Sequence, residues 1–117
     1  MNAAEQFESM SDGIEYTPHK TFKGVYLKHL VKGEATDGRI SSHLVKIEPF
    51  CVLDTHVHPE QVEIHEVIQG DGECFIAGRK VQYVPGTVEA IPQNTPHKVI
   101  AGEKGLYILA KFTPALL

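Results

Sequence analysis

Cysteine is scarce in this chain: only Cys51 and Cys74 occur, so one disulfide at most could staple it. Their spacing fits neither a metal pair nor a redox motif, which predicts two reduced, partly buried thiols. Basic charge is short as well. Eleven Lys and Arg against 15 Asp and Glu leave a formal net charge of −4 and a pI of 5.9, without the basic stripe of a nucleic-acid binder. No apolar run approaches the roughly 20 residues of a membrane span; the longest near the C-terminus is Leu106–Ala110. Residues 1–15 hold Glu5, Glu8, Asp12 and Glu15 but no Lys or Arg, the reverse of a secretory leader. These absences predict a soluble cytoplasmic protein that engages neither nucleic acid nor membrane.

What is present is punctuation. A chain of 117 residues and 12.9 kDa is one domain, and its ten Gly and seven Pro favour short strands joined by turns. Residues 1–20 have a weak helical pattern (Ala3, Ala4, Phe7, Met10) with no strong cap and read as an N-terminal arm. Residues 21–117 read as the β domain. Alternation predicts strands over Phe22–Val31, Ile40–Glu48, Ile64–Gln69 and Thr87–Ile91. Gly70-Asp71-Gly72 reads as a turn, and Gly78-Arg79 as a hairpin between Glu73–Ala77 and Lys80–Val84. A turn at Gly102–Gly105 separates Val99–Ala101 from Leu106–Phe112. No βαβ alternation and no repeat occurs, so the expected architecture is an all-β jelly roll, two facing sheets around a small hollow.

Histidine is plentiful: seven, at 19, 29, 43, 56, 58, 65 and 97. His56 and His58 are two apart, and on an extended chain such side chains point the same way. Glu63 follows past the turn at Pro59-Glu60, and His97 after Pro96 can return from the opposite sheet. Three imidazoles and one carboxylate suit one divalent ion of Mn, Fe, Co, Ni or Zn per chain, and are too nitrogen-rich for Ca or Mg. Spacing assigns no such part to His19, His29 or His43, which read as surface or strand-packing residues.

Residues 50–101 resemble the paired signature of the cupin superfamily. His56, His58, Glu63 and Gly70 match its first motif, G-x5-H-x-H-x3,4-E-x6-G. Gly86, Pro92 and His97 match its second, G-x5-P-x-G-x2-H-x3-N. Phe50 stands for the first Gly, Asn94 for a later Gly and Ala101 for the closing Asn. The resemblance implies a double-stranded β-helix barrel with metal ligands at His56, His58, Glu63 and His97. The short spacer Asp71–Pro85 is similar to that of small single-domain bacterial or archaeal cupins.

The resemblance says little about reaction, because function lives in the site rather than the fold. Cupins that act on unsaturated uronic sugars often carry an Arg soon after a C-terminal Phe-x-Pro; here Phe112-Thr113-Pro114 is followed by Ala115, Leu116 and Leu117. Cysteine dioxygenation normally asks for three His without the carboxylate of Glu63. The site predicts a Lewis-acid isomerase or lyase, or an oxygenase, acting on an anionic molecule with a carboxylate or carbonyl group. The alternative is a metal-dependent binding or sensing module without turnover. His65, one pleat from Glu63, is the candidate catalytic proton carrier, and Tyr83 a candidate wall of the substrate pocket. Exposed strand edges in so small a domain predict a homodimer.

Overall fold

The computed structural model describes residues 1–117: a short helix followed by eight strands. Helix α1 (Ala3–Met10) is better made than its composition promises. Asn2 Oδ1 accepts from the Glu5 amide at 2.8 Å while Glu5 Oε1 accepts from the Asn2 amide, a reciprocal cap that satisfies two otherwise unpaired N–H groups. The helix is tied to the sheet through Lys28, whose ammonium donates to the Glu8 carbonyl and to Ser11 Oγ. The stretch read as an arm therefore carries a capped helix and also a strand, β1 (Tyr16–Pro18), paired with β2 (Val25–Val31).

The remaining strands are β3 (Ser41–Ile47), β4 (Val52–His56), β5 (Val62–Ile76), β6 (Arg79–Tyr83), β7 (Val88–Ile91) and β8 (His97–Thr113). All pairings are antiparallel. Two long strands make the barrel: β5 and β8 pair along their whole lengths, and each serves both layers. The first half of β5 and the second half of β8 lie with β1, β2, β3 and β7; the other halves lie with β4 and β6. Inward side chains of the two layers, among them Val45, Ile47, Val67, Cys74, Val99, Leu106 and Ile108, form one core. Both cysteines are free, Cys74 buried and Cys51 half-buried.

Two expected turns are absent. Gly70–Gly72 and Gly102–Gly105 lie inside β5 and β8, where the ladder shifts register and both strands bend from one layer into the other. Glycine marks the bend because the backbones nearly touch. A Cβ on Gly70 would fall 2.0 Å from the Gly105 carbonyl oxygen, and Gly70 itself has φ 98°. The hairpin sits one residue earlier than Gly78-Arg79: Ala77 (φ 49°) and Gly78 (φ 81°) occupy it, both left-handed as a tight two-residue turn requires. Strand β4 was hidden from alternation because only Leu53 of its five residues is buried.

Candidate metal centre

The ends of three strands and one loop converge at one mouth of the barrel. His56 closes β4, and His97 opens β8 directly opposite it. Glu63 is the second residue of β5. His58 is not on a strand with His56, as the two-residue spacing implied, but in the β4–β5 connection. Its carbonyl accepts from the Asn94 amide at 2.9 Å, and the Gln93 side-chain amide donates to the Pro59 carbonyl, so the two loops hold each other. Both departures from the family's glycines adopt left-handed backbone, Asn94 at φ 58° and Phe50 at φ 60°. Asn does so readily; Phe does so under strain. One ligand atom from each of His56, His58, Glu63 and His97 lies within 4.8 Å of the others, close enough for a single ion.

Hydrogen bonds fix which nitrogens face that point. His97 Nδ1 donates to the Thr95 carbonyl at 2.9 Å and His56 Nδ1 to the Asp54 carbonyl at 2.7 Å. A carbonyl only accepts, so Nδ1 holds the proton in each neutral ring and Nε2 presents a lone pair. His97 Nε2 and Glu63 Oε1 then face each other at 3.1 Å, both buried and neither in a well-formed hydrogen bond. Two electron pairs opposed in a dry interior need a cation between them. A proton would serve that pair alone, whereas a metal ion would also engage His56 and His58. The donor set therefore fits a transition metal. Burial holds His56 at about 4, against the weaker pull of its carbonyl partner, and lowers His58 too, so both rings stay neutral and available.

His65 stands elsewhere than its sequence spacing implied. Although its Cα is one pleat from that of Glu63, its Nε2 donates to Glu63 Oε2 at 2.8 Å, and its Nδ1 meets the Tyr83 hydroxyl at 2.9 Å. Side chains on one face of a strand can lean together, which Cα spacing does not reveal. Both His65 and Tyr83 are fully buried. The expected proton carrier thus has both ring nitrogens engaged, and the expected pocket wall is itself fully buried, its hydroxyl turned to His65. Burial disfavours charge on His65, but the adjacent carboxylate outweighs it and raises the pKa, while Glu63 is held well below the carboxylate range.

Several residues at the mouth escaped the sequence reading. Phe22 lies 6.2 Å from the His56 ring, and Phe112 packs edge-on to His58 at 4.9 Å. His43, read as a surface or strand-packing residue, is of the packing kind: it is buried on the inner face, with Nδ1 2.8 Å from His29 Nδ1 and Nε2 2.8 Å from Ser41 Oγ. The alternation of His43, Val45 and Ile47 already puts this histidine on the same face as two core residues.

The profile of the cupin domain family matches residues 43–110, more than half of the chain, and this protein belongs to that family. Among solved structures, a predicted oxalate decarboxylase from Thermotoga maritima superposes with a TM-score of 0.80 at 24% identity, over 89% of this chain and 96% of that one. KdgF from a Halomonas species gives 0.74 at 23% identity, over 86% of each chain. The polyketide cyclase RemF from Streptomyces resistomycificus gives 0.76 at 18%, over 89% of this chain and 75% of the other. At these identities the likeness is one of fold. No curated protein matches the chain.

Proposed function

We propose that this cupin is a metal-dependent enzyme in which His56, His58, Glu63 and His97 hold one divalent transition metal and a small carboxylate- or carbonyl-bearing molecule is transformed. The observation that carries the reading is the buried, unbonded pair of Glu63 Oε1 and His97 Nε2, turned toward the same point as two further imidazoles. Mn, Fe, Co, Ni or Zn suits this donor set. When bound, such an ion supplies a Lewis acid for a carbonyl or carboxylate oxygen. One carboxylate among neutral imidazoles leaves positive charge uncompensated, which favours an anionic substrate.

The chain's own groups do the positioning. The Asp54 and Thr95 carbonyls keep His56 and His97 in the ligating tautomer, and His65 occupies Glu63 Oε2 so that Oε1 stays available. Tyr83 in turn holds His65. Phe22 and Phe112 set apolar rings against His56 and His58. The fold shared with a predicted oxalate decarboxylase, named for a dicarboxylate, supports an acid as substrate.

Elemental analysis of protein purified without added metal, followed by a turnover screen of hydroxy, oxo and dicarboxylic acids, tests the reading. About one ion per chain is expected, lost in His97→Ala and kept in His19→Ala. Equal occupancy in both variants would overturn the site. Tight binding without turnover would leave the sensing module instead. The same reading takes the protein as a cytoplasmic homodimer, since the outer edges of β1, β6 and β7 have no partner within the chain. Light scattering should then give about twice 12.9 kDa.

A further inference from the structure

A cavity of about 320 Å3 lies where the β1–β2 connection, β2 and the C-terminal tail meet. Its walls include His19 and Lys20 of the connection, Leu27 and His29 of β2, and Leu116 and Leu117 of the tail. Strand register decides which side of β2 this is. Leu27 is paired with Val45 and His29 with His43, and directly opposed residues of an antiparallel ladder share a face. Val45 belongs to the barrel core and His43 is buried beside it. The cavity therefore lies on the inner side of β2. From it a chain of contacts runs to the candidate metal centre: His29 to His43 at 2.8 Å, His43 to Phe112 at 5.5 Å and Phe112 to His58 at 4.9 Å.

The lining is chemically one-sided. None of its nine side chains is acidic, Lys20 supplies a full positive charge, and the Leu117 carboxyl oxygen accepts from the Gly33 amide. His19 Nδ1 accepts from the amides of Thr21 and Phe22 at 3.0 and 3.2 Å, so its proton sits on Nε2, a donor. His29 uses Nδ1 on His43 and keeps Nε2 without a protein partner. Thr17 and Thr21 add hydroxyls, while the three leucines give an apolar surface. Cationic charge and donors over an apolar wall, in a volume at the small end of ligand pockets, define a ligand class.

We propose that this cavity is the recognition site for a small organic acid: its anionic head is bound by Lys20, His19 and His29, and its apolar body lies on Leu27, Leu116 and Leu117. The cavity deepens the metal-centred reading by placing specificity two side chains, His43 and Phe112, away from His58. It rests on that reading only for what becomes of the bound acid.

Hexanoate and its uncharged analogue hexanamide, titrated into chelator-treated protein and followed by backbone amide chemical shifts, test the site without metal or turnover. Saturable hexanoate shifts are expected at Leu27, His29 and Leu116. Binding should be about fivefold weaker or worse for hexanamide, for Lys20→Met and for His29→Leu, the scale of one partly solvated charge contact. Lys20 is exposed, so its variant keeps the fold. Equal binding of the two probes, or hexanoate binding indifferent to Lys20→Met, would overturn the proposal. Metal analysis on the same preparation separates the two claims. Cavity binding in a protein that never takes up metal would sink the metal-centred reading alone, and metal uptake without cavity binding would sink this one alone.

Discussion

A single carboxylate oxygen carries much of the centre's design. Glu63 offers one oxygen to the barrel mouth because the other is taken by His65, and His65 is oriented by Tyr83. Removing such a partner typically costs 10- to 100-fold in metal affinity. His65→Leu should therefore weaken zinc binding by about that factor in a competition titration, and His65→Gln, which retains a donor, should recover part of it. A shift in melting temperature with unchanged zinc affinity would reduce His65 to packing. His43 sets a different expectation. Burial first, then the charge of His29, holds its pKa at about 4, with Glu63 pulling weakly the other way, whereas an unfolded chain titrates near 6.5. Between those values the unfolded state takes a proton that the folded state refuses, so acidification from pH 6.5 toward 4 erodes stability. Urea midpoints at pH 7 and pH 5 should differ less in His43→Asn than in the native chain; an equal loss would clear His43 of the effect. At this scale the clustering of His56, His58, Glu63 and His97 was legible because motif spacing records it directly. The leaning of His65 onto Glu63 was not, since side-chain direction within a face leaves no trace in spacing.

The strands themselves divide by what glycine does in them. Glycine pairs read as turns at 70–72 and 102–105 are instead the bends by which β5 and β8 pass between layers. Sequence cannot separate the two cases, because a tight turn and a close backbone approach both demand a residue without Cβ. The contacts do separate them. Gly70→Ala would force its methyl onto the Gly105 carbonyl oxygen, while Gly86, equally left-handed at φ 93°, has open space around its Cβ position. Gly86→Ala should cost about 1–2 kcal/mol, the strain of one left-handed residue. Gly70→Ala should cost clearly more, as chemical denaturation would measure; equal costs would mean the bend relaxes freely. Helix α1 was underestimated for a related reason. Its cap depends on Asn2 and Glu5 acting together, a pairing that a search for apolar periodicity passes over.

For the molecule as a whole, the jelly roll was legible from turn frequency and alternation, whereas the sharing of β5 and β8 by both layers was not, because pairing between distant segments has no local signature. That sharing makes β8 the hub: it is hydrogen-bonded to β3, β4 and β5, and its residues 97–113 reach from the candidate metal centre through the core. No partial opening can free the middle of β8 while leaving the barrel closed. Its central amides, those of Val99 and Ile108 for example, should exchange with deuterium only through global unfolding, at rates that track total stability. Those of β1, held by β2 alone, should exchange much sooner through local fraying. Added zinc should then slow β8 by the factor, one plus free zinc over Kd, that binding to the folded state alone imposes, and leave β1 nearly untouched. A β8 that exchanged as fast as β1 would mean that the barrel opens one layer at a time. Exchange protection in this protein would thus map how far an ion held at His97 is felt along one strand.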